Sequence, residues 1–169
     1  MTAFRQTALR IATAFALSMG AAGFAEAQPL HGRTSDAQVR DVALAPNGAA
    51  VYFAAYDRGE VWEVDAATGE RLRSAQAGKG PSQLAVSADG AWLAVVNSLE
   101  GSVTLIALDA FTASAPIPTG EGACAVTAMP GGGFAVANAF ADTVSLIDPR
   151  QPDRAFGFSV AARVPNAVA

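Results

Sequence analysis

Short runs of alternating apolar and polar residues, broken by glycine-rich turns, recur along most of this chain. A first run covers Asp41–Ala45, Gln83–Ser87 and Ala125–Ala128. Pro46-Asn47-Gly48, Ala88-Asp89-Gly90 and Pro130-Gly131-Gly132 follow these runs, and Asn-Gly and Asp-Gly supply the positive φ that tight hairpins use. Second strands are predicted at Ala50–Ala55, Trp92–Asn97 and Phe134–Asn138. Third strands are predicted at Glu60–Asp65, Ser102–Ala107 and Thr143–Asp148, after loops holding Gly59, Gly101 and Asp142. Weaker fourth strands are expected at Arg71–Gln76, around Ala115–Pro118 and around Phe156–Val160. Helical periodicity is absent from this region.

These runs are copies of one unit. Displacing the chain by 42 residues places Val42, Leu84, Val126 and Val168 in one column, and Gly48, Gly90 and Gly132 in another. A one-residue deletion in the third copy then aligns Phe53, Val95 and Val136, and likewise Val64, Ile106 and Ile147. Four short strands in a unit of this length are the mark of a propeller blade. A β-sandwich does not account for a fixed repeat of this length. The expected fold is therefore all-β: about three four-stranded antiparallel blades at 39–80, 81–122 and 123–164, with the first strand of a fourth at 165–169.

The segment VYFAAYDRGEVWEVD, continuing through AATGERLRSAQAGKGPSQLAVSADG, resembles the repeat of the YVTN family of β-propellers. LAVVN and GSVTLI in the second copy, and FAVAN and DTVSLID in the third, carry the same resemblance. Ala55 departs from it where Asn97 and Asn138 keep the usual asparagine, and Ala123 stands where Pro81 keeps the proline. The resemblance specifies fold more than function, because one fold hosts many activities. Propellers close with roughly four to eight blades. Three blades leave apolar faces uncovered, so the chain is expected to be a piece of a longer protein or to close its ring with further blades or by self-association.

The amino terminus differs in kind. Arg5 and Arg10 precede an uncharged, mostly apolar run from Ile11 to Phe24, and Ala25-Glu26-Ala27 follows as a small-x-small cleavage pattern. Residues 1–27 thus read as a secretory signal and 28–38 as an N-terminal arm, which implies a periplasmic or secreted protein with no membrane span after cleavage. The alternative is an uncleaved anchor, for which the run is short. Cys124 is the only cysteine, so no intrachain disulfide can form. His31 is the only histidine and lies in the arm, which removes histidine-dependent triads and multi-histidine zinc sites from consideration.

The formal net charge is −4. Removing Arg5, Arg10 and Glu26 makes the remainder more acidic by one unit, which disfavours nucleic acid as a partner. Arg71, Arg73 and Lys79 are the candidates for a local basic patch that would override this.

By resemblance, ligands meet the face built from loops between second and third strands and from the loops leading into innermost strands. Those loops hold Tyr56, Asp57 and Arg58; Asn97, Ser98 and Glu100; Asn138, Phe140 and Asp142; and Arg40, Ser82, Cys124 and Asn166. Asp57, Glu100 and Asp142 recur there as oxygen donors suited to calcium, although carboxylates of this kind also favour turns when merely solvated. Asn97 and Asn138 are the type of residue that satisfies backbone groups locally. Asp65 and Asp148 read as turn caps, and Trp62 and Trp92 as packing between blades, with base stacking the alternative. Gly78-Lys79-Gly80 lacks the remaining residues of a phosphate loop.

The residues lack a convergent catalytic set. The functional expectation is an exported scaffold that binds a protein, an ion or a small ligand through its loop face, without catalysis. An enzyme or enzyme subunit, resembling sugar-lactone hydrolases or periplasmic amine dehydrogenases, is the alternative, and single-strand nucleic-acid binding is a third.

Overall fold

The computed structural model describes residues 37–152 and 156–159. The expected signal segment, most of the arm including His31, and the opening strand of a fourth blade with Asn166 lie outside the described residues. Three antiparallel sheets follow one another along the chain. The first runs β1 (Val39–Leu44), β2 (Ala50–Ala55), β3 (Glu60–Asp65) and β4 (Arg71–Gln76), in that spatial order. The second has β5 (Pro81–Val86), β6 (Trp92–Asn97), β7 (Ser102–Ala107) and β8 (Thr112–Ala113), with β9 (Ile117–Pro118) also paired to β7. The third is β10 (Ala123–Ala128), β11 (Phe134–Asn138), β12 (Thr143–Ile147) and β13 (Phe156–Ser159). Each sheet is a blade. Among the described residues no helix is long and apolar enough to cross a membrane.

Strand period dictates which side chains meet. On β1–β3 the register pairs Ala43 with Tyr52 and Tyr52 with Glu63, and these residues share the face turned to the second blade. Val42, Phe53 and Trp62 share the opposite face. The core accordingly lies in the seams between blades. One cluster joins Tyr52, Ala54 and Val61 to Leu84, Val95 and Ile106. A second joins Val96, Val103 and Leu105 to Phe134, Val136 and Ile147. Fully burying a side chain of this size contributes about 1.5–3 kcal/mol, so the seams supply most of the cohesion. Val42 and Leu44 on the outer face of the first blade are exposed, as are Phe156 and Phe158 on the outer face of the third.

The hairpin turns refine the sequence reading. Gly48, Gly90 and Gly132 have positive φ, whereas Asn47 and Asp89 do not. The turns are therefore not the two-residue type in which both central residues are left-handed. In each, the glycine N–H donates to the residue three before it: Gly48 to Ala45, Gly90 to Ser87 and Gly132 to Met129. Asn47 and Asp89 act instead through their side chains, accepting from the N–H groups of Ala49 and Ala91. The closing bond runs from Ala45 to Ala50 and from Ser87 to Trp92, but from Met129 to Gly133. That loop is one residue shorter, which places the deletion of the third copy in its first turn.

Four strand assignments shift. The innermost strands begin two residues before the alternation does, at Val39, Pro81 and Ala123. The same irregularity in pairing follows the first residue or residues of each. A bulge breaks the period-two pattern there, so alternation alone could not mark the start. In the second blade the outer strand divides into β8 and β9. Pro116 and Pro118 cannot donate to a ladder, and Ser114 spans the gap by exchanging bonds with Leu105 through both its N–H and its hydroxyl.

Candidate functional site

The loops between second and third strands and the glycine linkers between blades form one face. The two sets lock together. Ser98 N–H donates to Gly80 O at 3.0 Å and Leu99 N–H to Lys79 O at 3.2 Å; Ala139 and Phe140 repeat this with Gly122 and Glu121. Below them, Asn97 is fully buried. Its Oδ1 accepts from Gly78 N–H at 3.0 Å, and its Nδ2 donates to Ser102 Oγ and Thr104 Oγ1, both at 3.0 Å. Asn138, also fully buried, donates from Nδ2 to Thr143 Oγ1 and Ser145 Oγ, while its Oδ1 has no partner. Of the candidate ligand residues, these two are structural rivets beneath the face rather than groups presented on it. Asn97, with both polar atoms buried and engaged, cannot reach a ligand without opening the loop, and burial alone holds Asn138 Oδ1 from the surface.

The first blade has Ala55 at the rivet position. The positions of Ser102 and Thr104 are taken there by Glu60 and Trp62, and Trp62 Nε1 donates to Glu60 Oε2 at 2.7 Å. Gln76 Nε2 donates to the other carboxylate oxygen at 2.9 Å. The departure noted at Ala55 is therefore one part of a substituted hydrogen-bond set.

The remaining candidates lie nearer solvent. The Arg40 guanidinium sits 4.5 Å from the centre of the Tyr56 ring. Asp57 Oδ1 accepts from Gln38 N–H at 2.7 Å, and its other oxygen lies 3.9 Å from Arg58 Nε, an exposed pair of small energetic weight. Glu100 Oε1 accepts from Ser102 Oγ at 2.8 Å. Ser98 Oγ donates to Gly80 O, and Ser82 Oγ donates weakly to Val96 O at 3.4 Å. Asp142 has φ of 51°, at the position where Gly59 and Gly101 are left-handed, so its type is accounted for by the turn. Asp57, Glu100 and Asp142 each occupy a loop of a different blade. No group of three or more His, Cys, Asp or Glu among the described residues is placed to hold a metal ion. Cys124 Sγ lies 3.6 Å from Ala137 O.

Two apolar side chains dominate the face. Leu99 is 65% exposed and Phe140 is 79% exposed, at equivalent positions of successive blades. Each lies over a linker glycine. A Cβ on Gly80 would stand 2.7 Å from Leu99 Cγ, and one on Gly122 would stand 2.7 Å from Phe140 Cγ, so only glycine permits this seating. A groove of about 710 Å³ lies between the first and second blades, with Tyr56 and Leu99 on its walls and Asp57, Arg58, Lys79 and Glu100 around it. A second of about 470 Å³ lies between Leu99 and Phe140, with Glu100 and Glu121 as its charged residues.

The suspected basic patch does not assemble. Arg71 lies over the Trp62 ring at 4.8 Å, Lys79 lies on the loop face beyond the other end of β4, and Arg73 is taken up by an ion pair. Arg73 donates through Nε and Nη2 to both oxygens of the buried Glu63 carboxylate, and through Nη2 and Nη1 to Leu108 O and Asp109 O of the next blade. That bond to Glu63, ahead of the opposing effect of burial, raises the Arg73 pKa. Glu63 and Tyr52 escaped the sequence reading. The visible signal was a break in two columns, where the other copies hold Leu105 and Leu146, and Ala94 and Ala135.

No protein-family model matches the chain, and no curated protein matches its sequence. Solved structures do match. One is a chain of Kuenenia stuttgartiensis hydrazine synthase, at TM-score 0.72 and 20% identity, covering 86% of this chain and 42% of that one. Another is the dihydro-heme d1 dehydrogenase NirN, at TM-score 0.62 and 26% identity, covering 73% and 28%. Virginiamycin B lyase from Staphylococcus aureus follows at TM-score 0.67 and 13% identity, covering 80% and 46%. WD40 repeats of RRP9 match at TM-score 0.68 and 11% identity, covering 78% and 42%. The fold is a partial β-propeller. The chain spans less than half the length of each of these structures, and their number includes enzymes and proteins not described as enzymes.

Proposed function

We propose that the chain is an exported, non-catalytic propeller scaffold that binds a protein partner through its loop face. The observation that carries this reading is the pair Leu99 and Phe140. Burying each would be worth about 2 kcal/mol, yet both are seated outward on loops held by buried hydrogen bonds. Apolar groups on a preorganised loop lose little conformational freedom when a partner covers them. Export rests on the charged, apolar and small-x-small order of residues 1–27.

The test is to pan a displayed library of random 12-residue peptides against the full chain and to measure the enriched peptides on Leu99→Ser/Phe140→Ser. Loss of affinity by about 100-fold is expected, the usual weight of two central apolar anchors. Enriched peptides that bind the variant as well as the parent would place the binding surface elsewhere.

The likeness to NirN, at 26% identity, favours a second reading. The chain would then be the propeller part of an oxidoreductase whose cofactor sits on another part of the protein. A haem or other redox centre retained by the full-length native protein after purification would support it.

A further inference from the structure

On the face opposite the loop site, the seam between the first two blades opens into a cavity of about 900 Å³. Tyr52 lines it and is only 4% exposed. Its ring stacks on Phe111 at 6.2 Å, but no hydrogen bond joins its hydroxyl to another described residue. The ring is buried while the hydroxyl keeps contact with the cavity, where it can bond to a group that enters. Burial first, then the nearby Glu63 charge, holds the phenol above its ordinary pKa, which keeps it a neutral hydroxyl.

The charges around it have one sign to offer. Arg73 also lines the cavity, but its donors are engaged by Glu63 and by the carbonyls of Leu108 and Asp109. Asp65, Asp89 and Asp109 stand at the rim, with Arg150 near enough to Asp89 to lower its pKa. Trp92, Leu72 and Leu108 supply apolar wall. The corresponding positions of later blades show that neither the tyrosine nor the buried glutamate is needed for packing. Ala94 and Leu105, and then Ala135 and Leu146, fill those places. The Glu63–Arg73 pair, buried only at its glutamate, occurs at this seam and has no counterpart at the second.

We propose that this cavity is a second binding site, for an ammonium group carried on an apolar stem. The N–H groups donate to the Tyr52 hydroxyl oxygen and to the rim carboxylates, and the stem lies against Trp92 and Leu108. A free organic amine and a lysine side chain of another protein both present that chemistry. The site is independent of the loop-face reading, since it shares no residue with it.

The test is calorimetric titration of the full chain with benzylammonium chloride, with Nα-acetyl-lysine methylamide, and with neutral benzyl alcohol. Binding of at least one ammonium probe is expected, with the alcohol about tenfold weaker. Tyr52→Phe removes only a hydroxyl without a protein partner, so its circular dichroism should match the parent while ammonium binding falls about tenfold. Asp89→Asn should weaken it about threefold. Leu99→Ser/Phe140→Ser should leave it unchanged, which separates this site from the loop face. Preference for benzylammonium would indicate a small-molecule amine, and preference for the lysine derivative a protein side chain. Equal binding of the alcohol, no binding of either ammonium probe, or unchanged binding by Tyr52→Phe would overturn the proposal.

Discussion

The two seams among the described blades are built from the same columns of one repeat, yet they are held differently. Between the second and third blades, the sheet centre is apolar throughout, with Ala94 and Leu105 meeting Phe134, Val136 and Ile147. Between the first and second, Tyr52 and Glu63 replace the alanine and leucine, and Arg73 reaches across to two backbone carbonyls. The asparagine rivets differ in the reverse sense. Asn97, at the first seam, closes on Gly78 N–H; Asn138, at the second, leaves its Oδ1 unpaired, and Gly120 N–H points to Gly101 O at 3.5 Å instead. The seam with the costlier sheet centre therefore has the better satisfied linker. Packing fixes that blades stack, and a few polar groups decide how firmly each junction is held.

The largest effect should come from the rivets. Asn97→Ala leaves Gly78 N–H and the hydroxyls of Ser102 and Thr104 without their partner in a buried setting. A loss of about 4 kcal/mol is expected in urea denaturation. Asn138→Ala gives up two such bonds and relieves an oxygen that had none, so it should cost about 2 kcal/mol less. Equal losses would mean that the two rivets are equivalent in solution.

The ion pair provides the next contrast. Arg73→Ala strands the Glu63 carboxylate, whose side chain is 8% exposed, and should destabilise by about 3 kcal/mol. Half-exposure of Arg73 keeps this at the low end for a buried pair. Glu63→Leu/Arg73→Met replaces the ion pair by apolar side chains and should return stability to within about 1 kcal/mol of the parent. A double variant as unstable as Arg73→Ala would show that the bonds from Arg73 to the second blade, rather than the charge balance, hold the seam.

Much of the architecture was legible in the sequence because strand alternation and turn glycines are local signals. Eight of the twelve expected strands, from Ala50–Ala55 to Phe156, fall within a residue of their observed limits. The innermost strands were read short because a bulge interrupts alternation at Val39, Pro81 and Ala123. The site was less legible. Asn97 and Asn138 stood out as repeated polar residues on expected loops, but burial and hydrogen bonding are properties of the assembled blade. Tyr52 and Glu63 were hidden for the opposite reason: each sits in an alternating strand, and only comparison with the equivalent residues of other blades reveals that they are out of place.

The smallest effect is a pH dependence at the hairpin end of the first seam, where Asp65 and Asp89 both lie. Hydrogen bonds from Thr68 N–H, then from its hydroxyl and from Ala67 N–H, hold the Asp65 carboxyl below its ordinary pKa. The Ser87 hydroxyl first, then Ala91 N–H, does the same for Asp89. A carboxylate whose native pKa is depressed binds protons less readily folded than unfolded. Its contribution is fully present above the unfolded value and is lost as pH falls through the native one. Stability should therefore decline below the ordinary carboxylate range, and Asp65→Asn and Asp89→Asn should each make that decline shallower. Both groups are solvent-exposed, so the change in slope should be small, and 0.5 M salt should leave it in place because hydrogen bonds rather than long-range charge produce it. A slope abolished by salt would assign the acid sensitivity to net charge across the seam and not to these two turns.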